Sequence, residues 1–283
     1  MQRKILKTPP IYTSRGGPVE VRMLTWRRDC LDAIWALKGF YHFSTCDYPL
    51  YIHDGGLAEG QAALLQAHFP NATIVTADAA DREVETTLAG RGLERCLEYR
   101  RVNITTRKLF DFFLLSNADY VISIDSDIVF FRKPELLCVP RSGISKNRYN
   151  QDDGYWYSMS LEEMEASFGI RPREGINSGL SVVRRQSIDF DSIERWLANR
   201  KLREDRWVTE QTLQALCSTV YGVELLPETY CVSTKPGLRP DTVCKHYTGF
   251  FRYLQYEEGM RQLVEAGFIE QLCRQTRDGV SAA

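Results

Sequence analysis

The chain has 283 residues, 43% of them hydrophobic, with 36 Lys and Arg against 37 Asp and Glu for a formal net charge of −1. That is enough apolar material for a sizeable core, in one large domain or two small ones. There is no basic stripe with interleaved aromatics, which disfavours nucleic acid as a partner, and no run of 18 apolar residues to cross a membrane. The start, Met1 to Pro10, is basic but lacks the apolar stretch of a secretory signal. The eight cysteines (30, 46, 96, 138, 217, 231, 244 and 273) form no Cys-x-x-Cys. They are expected as reduced, buried thiols, and the compartment as a cytosol.

In chain order, residues 1–18 read as a loose leader ending in Gly16-Gly17-Pro18. Val19, Val21 and Met23 alternate with Glu20 and Arg22, which predicts a first strand. Thr25 is placed to cap the next helix, where Leu31, Ile34, Trp35 and Lys38 share a face. A second strand is expected over 49–53, closed by the turn Asp54-Gly55-Gly56. Helix follows at 61–68, a third strand at 72–75, polar helix at 79–98 with breaks at Gly90 and Gly92, and helix again at 106–115. Alternating strand and helix predict an α/β chain with a doubly wound, mostly parallel sheet.

The fourth strand, Tyr120-Val121-Ile122-Ser123-Ile124, is an apolar run that ends in Asp125-Ser126-Asp127. Such a run reads as a strand buried on both faces, and buried carboxylates need a partner or a cation. Ligands of open α/β sheets bind beyond the carboxyl ends of the strands, where this pair falls. Two hard oxygen ligands suit a divalent cation and, with it, a diphosphate. The chain carries its own control. Asp189-Phe190-Asp191 matches the same pattern but opens a helix at about 191–199, with Asp191 as N-cap and Glu194 as its capping-box partner.

The second half is less regular. Residues 146–160 are polar and aromatic, including Tyr155, Trp156 and Tyr157, and read as a long loop forming an acceptor wall and lid. The 176–183 segment is a strand whose Gly179 allows close approach of a ligand or another backbone. Helix follows at about 207–217, and a final amphipathic helix carries Met260, Leu263, Val264 and Phe268. His246 is one of four histidines and follows a short apolar segment. Two carboxylates plus an imidazole shift a hard site from Mg²⁺ toward Mn²⁺.

These blocks, in this order, resemble the GT-A-fold glycosyltransferases, closest in layout to the retaining galactosyltransferases and glycogenins of glycosyltransferase family 8. Besides Asp125-Ser126-Asp127, the blocks are Lys108-Leu109, Asn177-Ser178-Gly179-Leu180, Glu210-Gln211, and His246-Tyr247-Thr248-Gly249 with Arg252. Arg252 stands where that family has Lys, Glu210 where it has Asp, and the usual Pro-Trp is missing. The resemblance spans about residues 19–253 and implies a single catalytic domain over 19–255, in which 19–131 would hold a nucleotide-sugar and 132–255 an acceptor. It does not cover the leader over 1–18 or the C-terminal helix and tail over 256–283. It implies metal ligands Asp125, Asp127 and His246, binding Mn²⁺ or Mg²⁺. Thr25, Asp54, Lys108, Asp125, Ser126, Gly179, Gly249 and Arg252 would contact the nucleotide-sugar, with uracil as the base. Glu210, Gln211 and Asn177 would serve the reacting sugar, which is passed with retention to a saccharide, lipid-linked or protein acceptor.

Three rivals differ in what they require. A sugar-phosphate nucleotidyltransferase looks to a glycine-rich loop after the first strand, and Thr25-Trp26-Arg27-Arg28 has none. An inverting enzyme of the same fold needs a carboxylate base, for which Asp152, Asp153 and Glu210 are candidates. A non-catalytic nucleotide-sugar binder would bind without turnover.

Overall fold

The computed structural model describes all residues except 205–206, 233–234 and 281–283. Its strands are β1 (Val19–Thr25), β2 (Leu50–Asp54), β3 (Thr73–Val75), β4 (Tyr120–Ile124), β5 (Ile128–Phe130), β6 (Asn147–Gln151), β7 (Ile176–Arg184), β8 (Val223–Leu225), β9 (Tyr230–Val232) and β10 (Cys244–His246). They form one sheet in the order β3-β2-β1-β4-β7-β6-β9-β10-β5, with β8 beside β6. Of the nine pairings, six are parallel and three (β4–β7, β6–β7 and β5–β10) antiparallel, so the sheet is mostly parallel, as expected. The order reverses beside β1, between β2 and β4. That switch point opens a crevice at the carboxyl ends of β1 and β4.

The helices are α1 (Cys30–Ser44), α2 (Gln61–His68), α3 (Ala77–Gly90), α4 (Glu94–Val102), α5 (Phe110–Leu114), α6 (Leu161–Phe168), α7 (Phe190–Trp196), α8 (Arg200–Glu204), α9 (Thr209–Tyr221), α10 (Arg261–Glu265) and α11 (Phe268–Val280). They cover both faces of the sheet. One core gathers Trp35, Phe40, Ile122, Ile124, Phe130 and Phe268, and the other Val121, Phe110, Phe112, Tyr149, Trp196 and Leu213. Val121 enters one core and Ile122 and Ile124 the other, which is why that strand is apolar apart from the buried Ser123. No described helix is long and apolar enough to cross a membrane.

Several elements depart from the sequence expectation. The 1–18 segment is docked rather than loose. It opens with a 3-10 turn over Gln2–Lys7, Ile5 is fully buried, and the Trp35 indole N–H donates to the Gln2 carbonyl at 2.9 Å. Lys38 is buried beneath it, donating to Thr8 Oγ1 at 2.8 Å and the Pro9 carbonyl at 2.5 Å. Thr25 does not cap α1: Asp29 occupies the N-cap position, four residues later, and the Thr25 hydroxyl is buried without a partner. Glu20 and Arg22, the polar alternates of β1, are buried as a 2.5 Å ion pair. The Arg22 guanidinium also reaches His53 Nε2 at 2.9 Å and lies over the Tyr51 ring.

The expected helix at 106–115 is a 3-10 turn, Ile104–Lys108, followed by α5. The first third of the expected 146–160 loop is β6, an interior strand pairing with β7, β8 and β9. The control pair is structural, but with other roles. Asp189 caps α7 by accepting from the Asp191 N–H at 3.1 Å. Glu194 instead accepts from the Arg95 and Cys96 N–H groups at the start of α4. All eight cysteines are free, with Cys30, Cys96, Cys217 and Cys244 buried and the other four only half-buried.

Candidate active site

Asp125 and Asp127 sit on the turn between β4 and β5, at the carboxyl end of β4. β10 lies antiparallel to β5 with His246 opposite Ile128, which brings the imidazole to the two aspartates. The ligand atoms of Asp125, Asp127 and His246 all lie within 4.8 Å of one another. Gly179 of β7 makes room for the cluster. A Cβ there would stand 2.2 Å from His246 Cε1 and 2.8 Å from Asp125 Oδ2.

Asn177 sets the orientation of the imidazole. Its Oδ1 accepts from the Gly179 N–H at 3.0 Å and its Nδ2 donates to Asp152 Oδ2 at 3.0 Å. His246 Nδ1, 3.1 Å from that same Oδ1, is therefore the donor, and Nε2 faces the aspartates. Two carboxylate oxygens and one imidazole nitrogen on a half-buried rim, with the imidazole held from behind, fit a divalent cation.

Basic groups balance the aspartates. Lys108 Nζ lies 2.9 Å from Asp125, His246 Nε2 3.0 Å from Asp127, and Arg252 Nε 3.2 Å from Asp127. Burial disfavours the Lys108 charge, but Asp125 and Glu210 together hold its pKa above the ordinary value. Arg252 also pairs with buried Asp29 at 3.1 Å and reaches Ser126 Oγ at 3.4 Å.

Two cavities meet here. The larger, about 430 Å³, is lined by Asp152, Trp156, Asn177, Gln211, His246 and Gly249, among others. The smaller, about 80 Å³, runs toward β1 past Leu24, Trp26, Asp29, Ser126 and Arg252. Both touch Thr105, Lys108, Asp125 and Asp127, so the aspartates stand at the junction. Glu210, in the first turn of α9, accepts from Ser178 Oγ at 3.0 Å and from Gln214 Nε2. Burial raises its pKa, opposed by Lys108. Gln211 accepts from the Ser178 N–H at 3.0 Å and donates to the Trp156 carbonyl at 3.0 Å.

The structure thus brings together Lys108, Asp125, Ser126, Asp127, Asn177, Gly179, Glu210, Gln211, His246, Gly249, Arg252 and Trp156. It does not bring in Thr25 or Asp54. They pair at the ends of β1 and β2 but are not among the residues lining either cavity, and Asp54 Oδ1 is taken by the Gly56 and Leu57 N–H groups at 2.7 Å each. Tyr155 and Tyr157 line neither cavity: Tyr155 is exposed, and Tyr157 is buried, its hydroxyl donating to the Arg173 carbonyl. Reading by motif misses Thr105, Asp29, Trp26 and Trp207. Trp207 lines the large cavity and is 80% exposed. Its one signal in the sequence is a large aromatic at the very start of a predicted helix.

No protein-family model matches this sequence, and no curated protein does. Solved structures do. The chain matches the galactosyltransferase LgtC, solved in complex with donor and acceptor sugar analogs, over 90% of this chain and 95% of that one, at 12% identity and a TM-score of 0.58. Mouse xyloside xylosyltransferase 1 matches over 84% of this chain and 98% of its own, at 10% identity and a TM-score of 0.51. The mannosyltransferase Ktr4p of S. cerevisiae, in complex with GDP, matches over 79% and 76%, at 9% identity and a TM-score of 0.51. Identities this low carry the fold and not the substrate. With its mostly parallel sheet and the order of its strands, the chain has the α/β fold of these glycosyltransferases, the GT-A fold.

Proposed function

We propose that the protein is a metal-dependent glycosyltransferase that moves a sugar from a nucleoside-diphosphate sugar, UDP-linked in our reading, to an acceptor. The observation that carries this is the Asp125–Asp127–His246 cluster at the junction of two cavities on a glycosyltransferase fold. The smaller cavity suits the nucleotide side of the donor, against Trp26 and Ser126. The larger suits the sugar and acceptor, with Trp156 on its wall. A divalent ion, Mn²⁺ or Mg²⁺, held by Asp125, Asp127 and His246 would supply Lewis-acid stabilisation of the leaving diphosphate.

The chain's own residues do the rest. Lys108 and Arg252 rest on the aspartates, and an incoming diphosphate offers both a second anion. They then stabilise the negative charge that grows on the diphosphate as the glycosidic bond breaks. Both Glu210 oxygens are occupied by Ser178 and Gln214, which disfavours a nucleophilic role for this carboxylate. That supports retention by the route in which the acceptor enters on the face the diphosphate leaves and gives it its proton. Gln211 then presents a dipole to the reacting carbon.

One observation favours inversion. Asp152 is a carboxylate on the wall of the large cavity, and burial raises its pKa against the hydrogen bond it accepts from Asn177. Incubation with UDP- and GDP-sugars, with and without a chelator, tests the proposal through release of the nucleoside diphosphate and the anomeric configuration of the product. Release that stops with chelation and with Asp127→Ala supports it. No release from any of the sugars would overturn it. An inverted product would move the assignment to Asp152.

A further inference from the structure

Cys46 and Cys138 lie outside the site, 92 positions apart in sequence, with their Sγ atoms 3.1 Å apart. A disulfide bond is about 2.0 Å long, so bonding needs roughly 1 Å of approach. The two segments are already pinned. Thr45, at φ +56, ends α1 directly before Cys46, and Cys138 closes the 3-10 turn Glu135–Leu137 that follows β5. Tyr48 Oη accepts from the Val139 N–H at 3.0 Å, and Tyr41 Oη donates to the Tyr48 carbonyl at 2.9 Å. Both residues are half-buried and not sealed in the core.

We propose that Cys46 and Cys138 form a reversible oxidation site, converted to an intramolecular disulfide by a low-molecular-weight disulfide such as oxidised glutathione. The Cys46 thiolate attacks one sulfur of the reagent, breaking its S–S bond, forming a mixed disulfide and expelling one glutathione thiolate. Cys138 gives its proton to solvent and attacks Cys46 Sγ, expelling the second glutathione. Two protein thiols are oxidised and one glutathione disulfide is reduced. The surroundings favour this order. The hydrogen-bonded contact with Cys138, against the effect of burial, holds the Cys46 pKa below the ordinary thiol range, with Tyr48, Ser44 and Lys133 adding to the effect. The same contact, together with burial, raises Cys138. Capping Cys46 removes the anion beside Cys138 and frees it to attack.

The closed bond would tie the end of α1 to the chain beyond β5. It would enclose β2 through β5, with Asp125 and Asp127 inside the loop. A loop of that length is strongly stabilised by cross-linking, so the melting temperature becomes a function of the thiol–disulfide ratio.

The test is to incubate the full chain with oxidised glutathione, block remaining thiols, and compare intact mass, digest peptides and Tm with Cys46→Ser and Cys138→Ser. The expected result is loss of two hydrogens, a cross-linked Cys46–Cys138 peptide, and a Tm rise of roughly 5 °C that dithiothreitol reverses. Neither serine variant shows the rise, and both match the reduced wild type in Tm. A stable glutathione adduct with no cross-link, oxidation of other cysteines first, or an unchanged Tm in cross-linked protein would overturn it.

Discussion

An imidazole ligates a cation only when its lone pair faces the other ligands, and Asn177 arranges that for His246. Asn177→Ala removes the acceptor behind Nδ1 and is expected to weaken Mn²⁺ binding roughly 10–100-fold. Titration of the metal alone measures this, and unchanged affinity would contradict the positioning role. Gly179→Ala acts by sterics, because its Cβ would lie 2.2 Å from His246 Cε1. It is expected to lose metal affinity at least as severely while keeping the far-ultraviolet circular dichroism of the parent. At this scale the aspartates, His246, Gly179 and Lys108 were legible because each lies in a short block whose residue types have a chemical reason to recur together. Asp29, Thr105 and Trp207 were not. Each is a single residue outside any recognisable block, brought to the cavities only by the fold. Arg252 was legible as a position in the His246 block, but its partners Asp29 and Asp127, 223 and 125 positions away, were not.

Elements were legible where local signals and tertiary demand agree. α2 spans Gln61–His68, the residues its pattern predicts, and β4 ends where its apolar run ends. They were illegible where long-range pairing overrides composition. Asn147–Gln151 is polar, yet it is an interior strand because β7, β8 and β9 all bond to it. Its Asn147 side chain is buried and spends its hydrogen bonds on Ser187, Ser218 and the Arg184 N–H. The N-terminal turn is the other case. Its composition is that of a leader, but Ile5 is fully buried beside Trp35. Ile5→Ala is expected to destabilise the protein by about 2–4 kcal/mol, lowering Tm by roughly 5 °C or more. A Tm unchanged from wild type would show that this turn is not part of the core.

For the molecule as a whole, the balanced charge conceals where ionisable groups are buried. His68, at the end of α2, has its pKa lowered to about 4 by burial and by the nearby Lys38 charge. The unfolded chain takes up that proton near the ordinary histidine value of about 6.5. Between the two values the unfolded state binds more protons, so this contribution to stability is present above pH 6.5 and is lost as pH falls toward 4. His68→Gln should therefore show a shallower fall of Tm across that interval than wild type, and parallel curves would contradict the assignment. The α/β architecture was readable from alternating strands and helices, but the switch to antiparallel pairing at β7 was not, because nothing local to β7 specifies its neighbour. That switch carries β7 past the end of β4, where the Gly179 carbonyl accepts from the Asp125 N–H at 2.8 Å, and so completes the site. The most direct test of the central claim is calorimetric titration of UDP, and of GDP beside it, with and without Mn²⁺, on wild type and Asp127→Ala. Nucleoside-diphosphate binding is expected to require the metal and to be lost in the variant. Binding indifferent to both metal and substitution, or no binding of either nucleotide, would contradict it.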